Sequence, residues 1–153
     1  MRSGTRLGVD VGKVRVGVAR SDPQGMLATP VGTVQRADAS VQKVLAIAAE
    51  HDAVELVVGL PIALSGRDTA STGDAREFAQ QLADTSALPV RLVDERMTTM
   101  SANSALRASG RNAKNSRSVV DQVAAVIILQ HALDFERSAA SPPGELVEPT
   151  RGS

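Results

Sequence analysis

The sequence predicts an α/β domain built on a mixed β-sheet, and three observations predict it. Short apolar runs, some continuous and some alternating with polar residues, lie between turn signals and read as five strands. Longer segments repeat apolar residues at helical spacing. The two kinds follow the order β-β-β-α-β-α-β-α-α, an antiparallel opening followed by helix–strand units, which gives a mixed sheet with helices packed on it. At 153 residues and 42% hydrophobic content, the chain is long enough for one domain with a substantial core.

Arg6 to Asp10 reads as a buried strand running into a Val11-Gly12-Lys13 turn. Val14, Val16 and Val18 alternate with Arg15, Gly17 and Ala19, so the opening is a hairpin that ends at Ser21-Asp22-Pro23. A third strand is expected over Ala28 to Gln35, at a sheet edge because Pro30 has no N–H to donate. Ser40 is expected to cap a helix with Val41, Val44, Leu45 and Ala48 on its apolar face. Leu56 to Gly59 is a short apolar strand, and Leu60 to Asp68 a loop containing Pro61 and Gly66. A helix from about Thr72 to Ala83 presents Ala75, Phe78, Ala79 and Leu82 on one face, and the strand Val90 to Val93 follows Pro89. Thr98 or Thr99 is expected to cap a further helix ending at Gly110, and Arg111 to Arg117 is a basic loop. Ser118 is expected to cap a long last helix to about Arg137, with a stripe of Val120, Val123, Ala124, Ile127 and Phe135. Residues 138–153, rich in Pro, Gly, Ser and Glu, read as a disordered tail, which leaves 1–137 as the domain.

Composition removes several kinds of chemistry. Two Phe, no Tyr and no Trp cannot furnish the aromatic platform on which RNA-binding sheets stack bases. The absence of cysteine excludes disulfides, thiolate zinc sites and cysteine nucleophiles. Two histidines, His51 and His131, cannot make a His-rich metal site, so a metal would be held by oxygen. No apolar stretch approaches the roughly 20 residues of a membrane span, and no signal peptide opens the chain. A cytoplasmic protein is the expectation. The formal net charge is zero, yet Arg91 to Arg117 carries six basic residues against two acidic ones, an excess of four. A basic flank beside carboxylates suits a phosphodiester and its metal together.

Three acidic positions stand out. Asp10 ends an apolar strand, Asp94-Glu95 ends another, and Asp121 lies near the start of a strongly apolar helix. Carboxylates at the ends of buried elements are costly unless something offsets their charge. Mg²⁺ does so with a few carboxylate oxygens and retained water. Each position also has a plainer reading. Asp before Gly is a common turn former, Asp94-Glu95-Arg96 could be a solvated loop with a local ion pair, and an acid in a helix's first turn offsets the helix dipole. Adjacent residues on an extended chain point opposite ways, so one of Asp94 and Glu95 should face the metal, and the longer Glu95 is the choice. Lys114 and Arg117 read either as a solvated basic loop or as phosphate ligands. Thr98 reads as a cap first and a nucleic-acid contact second.

Taken together these segments resemble the YqgF/RuvX family, known variously as pre-ribosomal-RNA nucleases or Holliday junction resolvases. Gly8-Val9-Asp10-Val11-Gly12 through Arg15, Gly17, Ala19, Ser21 and Asp22 is similar to its opening motif. Val58-Gly59-Leu60-Pro61 with Gly66 and Phe78-Ala79 is similar to its second, and Asp94-Glu95-Arg96 with Thr98-Thr99 to its third. Lys114, then Val120-Asp121 and Ala124-Ala125 through Ile128-Leu129, is similar to its last. The resemblance covers about residues 6–135. It implies a ribonuclease-H-like fold, a five-stranded mixed sheet with helices on both faces. It also implies that Asp10, Glu95 and Asp121 converge at one sheet end as catalytic, metal-binding carboxylates for Mg²⁺ or Mn²⁺. Arg96, Lys114, Arg117 and Thr98 would meet the substrate. The implied activity is cleavage of the precursor of small-subunit (16S) ribosomal RNA. Three alternatives accompany it. A resolvase of four-way DNA would need two sites related by a two-fold, hence a homodimer. A nucleic-acid-binding factor would not cut. A sugar-kinase or actin-like ATPase shares the opening Asp-x-Gly hairpin but needs two such domains.

Overall fold

The computed structural model describes residues 3–63, 65–95 and 116–150, with side chains from 122 onward in the last segment. Its strands are β1 (Thr5–Val11), β2 (Arg15–Ser21), β3 (Ala28–Gln35), β4 (Ala53–Leu60), β5 (Val90–Asp94) and β6 (Glu145–Leu146). Its helices are α1 (Ser40–Glu50), α2 (Ala70–Thr85) and α3 (Ser116–Ala139). They form one mixed sheet in the order β3-β2-β1-β4-β5-β6. β1 pairs antiparallel with β2 and parallel with β4, and β4 pairs parallel with β5. The C-terminal ends of β1, β3, β4 and β5 therefore share one end of the sheet. The edge position expected for β3 is observed, and its register shifts where Ala19 pairs with Pro30. No helix among the described residues is long and apolar enough to cross a membrane.

The strand period of two sorts side chains between two layers. On one face Leu7, Val9, Val16, Val18, Leu56 and Val58 pack with Val41, Val44 and Ala48 of α1 and Ala75, Phe78, Ala79 and Leu82 of α2. On the other, Ala19, Ala28, Val57 and Val93 pack with Ala125, Ile128, Leu129, Ala132 and Leu133 of α3. Each fully buried Val or Leu contributes roughly 1.5–3 kcal/mol relative to exposure. Helices thus lie on both faces, as the resemblance implies.

Four local expectations need correction. Ser40 is not the N-cap of α1; that position is Ala39, without a side-chain bond. Ser40 instead turns back, accepting from Ala37 N at 2.7 Å and bonding the Gln35 carbonyl at 2.8 Å. Ser118 lies inside α3, which starts at Ser116, so Asp121 is beyond the first turn and that turn holds no acid. The buried stripe of α3 is Ala125, Ile128, Leu129, Ala132 and Leu133, whereas Phe135 is 44% exposed. On a helix apolar nearly all round, spacing cannot select the face. Finally, residues 138–150 are not a disordered extension. α3 continues to Ala139, and β6 adds a sixth strand through Arg91↔Leu146 and Leu92↔Glu145. The rest of that segment is held largely by backbone groups, which composition does not report. Val147 N donates to Val90 O at 2.8 Å, and Asp84 accepts from Thr150 N and Oγ1. Gly144, at φ +65°, approaches so closely that a Cβ would sit 2.1 Å from Leu92 O. The helix expected between Thr98 and Gly110 lies outside the described residues.

Candidate active site

The site grows from the α3 face of β1. Arg6, Gly8 and Asp10 alternate with the inward valines and so share that face. α3 lies directly on this strand, since a Cβ at Gly8 would stand 2.7 Å from Leu129 Cβ and 3.0 Å from the Ala125 carbonyl. Arg6, one step toward the strand's start, reaches Glu136 at 3.4 Å with both side chains buried. Asp10 is one step toward the strand's end and half-buried.

β5 brings the second carboxylate, Glu95, just past its last residue Asp94, and β4 makes room for it. The pairing Val9↔Val58, carried one residue further, sets Gly59 beside Asp10. A Cβ at Gly59 would stand 2.8 Å from Glu95 Oε2, 3.0 Å from Glu95 Cγ and 2.5 Å from Ile128 Cδ1. The Glu95 side chain therefore lies across Gly59 on the α3 face, at the strand end that carries Asp10. Of the adjacent acids Glu95 is the one turned this way. Asp94 lines a shallow groove with His131, Phe135 and Pro143. Burial pushes the Glu95 carboxyl above the usual carboxylate range, and the neighbouring Asp94 charge adds to the shift. An acid so placed gains from a cation. Oxygen donors of the Asp10 and Glu95 kind at one sheet end fit a hard divalent ion.

The other sequence candidates are placed unevenly. Asp121 and Arg117 are on the α3 backbone, with side chains outside the described set. Arg96, Thr98 and Lys114 lie outside the described residues altogether. Among the described residues no group of three or more His, Cys, Asp or Glu is arranged to hold a metal.

Sequence reasoning missed the bracket behind the site. Arg36, just after β3, donates from Nη1 to the Gly12 carbonyl at 2.9 Å. It also grips Asp74 with both terminal nitrogens, at 2.8 and 2.9 Å. Thr72, buried in the first turn of α2, donates to the carbonyl of Pro61, which follows β4. It also completes a capping box with Thr69. The start of α2 thus holds the exits of β1 and β4 together. Capping was readable in the spacing of Thr69 and Thr72; a pair 38 residues apart had no local signal.

A mixed sheet covered by helices on both faces, with Asp10 at the end of β1 and Glu95 just beyond β5, is a ribonuclease-H-like fold. Among solved structures the chain is similar to T. thermophilus RuvC in complex with Holliday junction substrate. The TM-score is 0.59 at 17% identity, over 92% of this chain and 99% of that one. A second T. thermophilus RuvC structure gives 0.53 at 17% identity, over 91% and 99%. The chain belongs to the RuvX family, described as Holliday junction resolvase, whose model matches residues 4–135. It is 63% identical to a protein of Clavibacter michiganensis subsp. michiganensis named "Putative pre-16S rRNA nuclease", over 99% of this chain and 96% of that relative. A Leifsonia xyli subsp. xyli protein of the same name is 58% identical over 99% of each.

Proposed function

We propose that this protein is a metal-dependent endonuclease that hydrolyses phosphodiester bonds in the precursor of 16S ribosomal RNA, in the cytoplasm. The observation that carries the reading is that Glu95 lies over Gly59, the β4 residue next in register to Asp10, on the α3 face at the end of the sheet. We take Asp121, on α3, as the third carboxylate. α3 descends as β1 ascends, Glu136 meeting Arg6 and Leu129 meeting Gly8. That progression, continued, would carry the helical turn of Asp121 toward Asp10, which supports the assignment. These three carboxylates would hold Mg²⁺ or Mn²⁺. A divalent ion held there would lower the pKa of an attacking water and offset charge on the leaving group. Arg96, Lys114 and Arg117 neutralise the non-bridging phosphate oxygens, and Thr98 offers a hydroxyl to the backbone. No side-chain nucleophile is needed, which suits a chain without cysteine.

The relatives' names favour ribosomal RNA, and the family description favours the second reading, resolution of four-way DNA. The deciding experiment offers precursor 16S RNA and a synthetic four-way junction side by side, with Mg²⁺ or Mn²⁺, to the native chain and Asp10→Asn. Cutting of the RNA alone, lost in the variant, is expected. Junction cutting by a dimer would select the second reading. Cleavage of neither, with binding retained, would make the protein a non-catalytic binder.

A further inference from the structure

The turn that follows Asp10 is gathered from several sides by one residue. Arg36 N donates to the Val14 carbonyl at 2.9 Å, and its Nη1 donates to the Gly12 carbonyl at 2.9 Å. Gly12 N closes the same turn by donating to Arg15 O at 2.9 Å. A Cβ at Gly12 would stand 2.5 Å from that oxygen, so the turn has no slack for a side chain. The far side of the guanidinium is fixed by both carboxylate oxygens of Asp74 and stacks over Phe78 at 5.4 Å. Phe78 is itself core. Arg36 thereby ties the peptide two residues past Asp10 to the framework of α2. The pair is fully ionised at neutral pH, with Asp74 held below and Arg36 above their usual ranges by their mutual hydrogen bonds.

We infer that Arg36 is a positioning residue for the metal site: it fixes the β1–β2 turn through the Gly12 carbonyl, and so sets where the Asp10 carboxylate stands. The inference rests on the proposed metal site. It also assigns Asp74 a role, since the fork geometry of Arg36 is held by that carboxylate. Lysine cannot replace it fully, because a single ammonium cannot serve Gly12 and both Asp74 oxygens in fixed directions. Residues that orient a metal ligand without touching the metal commonly change affinity by roughly 10–100-fold when removed.

The test is a calorimetric Mn²⁺ titration of the full chain without nucleic acid, run alongside thermal melts. The variants are Arg36→Met, Arg36→Lys, Asp74→Asn and, as a control, Arg137→Met. Arg137 bonds Asp134 and the Gly25 carbonyl at the opposite end of the molecule. Arg36→Met is expected to weaken Mn²⁺ binding by about tenfold or more, with Arg36→Lys and Asp74→Asn in between. Arg137→Met should leave Mn²⁺ affinity unchanged, whatever it does to the melt. A folded Arg36→Met that binds Mn²⁺ within about twofold of the native chain overturns the inference. Should that variant not fold, Arg36→Lys decides by the same criterion. Asp10→Asn separates the two levels of the argument: if it binds Mn²⁺ as the native chain does, the metal site itself is wrong and the role of Arg36 falls with it.

Discussion

The two ends of the seam between β1 and α3 are built from similar parts and do opposite things. At the lower end Arg6, 1% exposed, is matched by Glu136, 4% exposed, and the opposite charges close the layer. At the upper end, four residues along the same strand and face, Asp10 meets a region holding another carboxylate, Glu95. The lower end carries its own countercharge. At the upper end burial, and after it the Asp94 charge, raises the Glu95 pKa. A strand that can bury a neutralised pair shows that its acidic end is not a failure of packing. The proposed metal site stands at that end.

The largest expected effect falls at the upper end. Asp10→Asn should lower cleavage by about a thousandfold, roughly 4 kcal/mol in the transition state. Its fold should be retained, so that the loss is one of cleavage and not of folding. Activity and denaturation measured on one preparation check both; a fully active variant would sink the site. The mirror change at the lower end should act on folding alone. Glu136→Leu leaves Arg6 buried with its partner gone, and Arg6 Nε already has no hydrogen-bond partner. A loss of about 3–5 kcal/mol is expected by urea denaturation. Adding Arg6→Met to that variant should recover most of it, since a buried pair replaced by apolar side chains is often neutral. No recovery would mean that the pair does more than balance charge.

Two glycines sharpen the comparison at smaller scale. Gly8 faces the Cβ of Leu129 and the Ala125 carbonyl, atoms that can move only with the helix itself. Gly8→Ala should therefore cost about 1–3 kcal/mol of stability. Gly59 faces Oε2 and Cγ of Glu95 and the terminal methyl of Ile128, side-chain atoms that can turn without moving the helix backbone. Gly59→Ala should leave stability within about 1 kcal/mol, helped by a stiffer unfolded chain. It should nonetheless reduce cleavage, because the carboxylate is pushed from its place. Equal losses of stability in the two variants would erase the distinction between a packing glycine and a site glycine.

The seam also shows what the sequence could and could not tell. A continuous apolar run marked β1, period-two alternation marked β2, and Pro30 marked the edge, because those signals are local. Asp10 and Glu95 were legible as polar residues at the ends of apolar runs, and the choice of Glu95 over Asp94 followed from strand geometry and reach. The face of α3 was not legible: Val123, Ile127, Ile128 and Leu129 surround it, and the side that settles is the one that fits Gly8, Ala19, Ala28, Val57 and Val93 of the sheet. The pairs Arg6–Glu136 and Arg36–Asp74 join residues 130 and 38 positions apart, and nothing local announces either. β6 is two residues long, too short to show a period.

The smallest effect concerns Arg36 and Asp74, and it separates their contribution to stability from their contribution to the site. The Asp74 carboxyl is held below its usual range, first by the hydrogen bond from Arg36 and further by that residue's charge, with burial opposing. A depressed folded-state pKa means that the unfolded chain takes up the proton first. The stabilisation is therefore complete above the unfolded value, near pH 4, and is lost as pH falls through the lower folded value. With the two side chains 26% and 35% exposed, solvent screening keeps the contribution to a few tenths of a kcal/mol, up to about 1. Urea denaturation between pH 6 and pH 3 should show a slightly shallower acid limb in Asp74→Asn than in the native chain. At pH 7 the two should differ little in stability while differing in Mn²⁺ affinity, because position at the metal depends on the fork geometry and stability hardly does. An Asp74→Asn protein that loses several kcal/mol at pH 7 would make the pair a structural strut and move Arg36 from the upper end of the comparison to the lower.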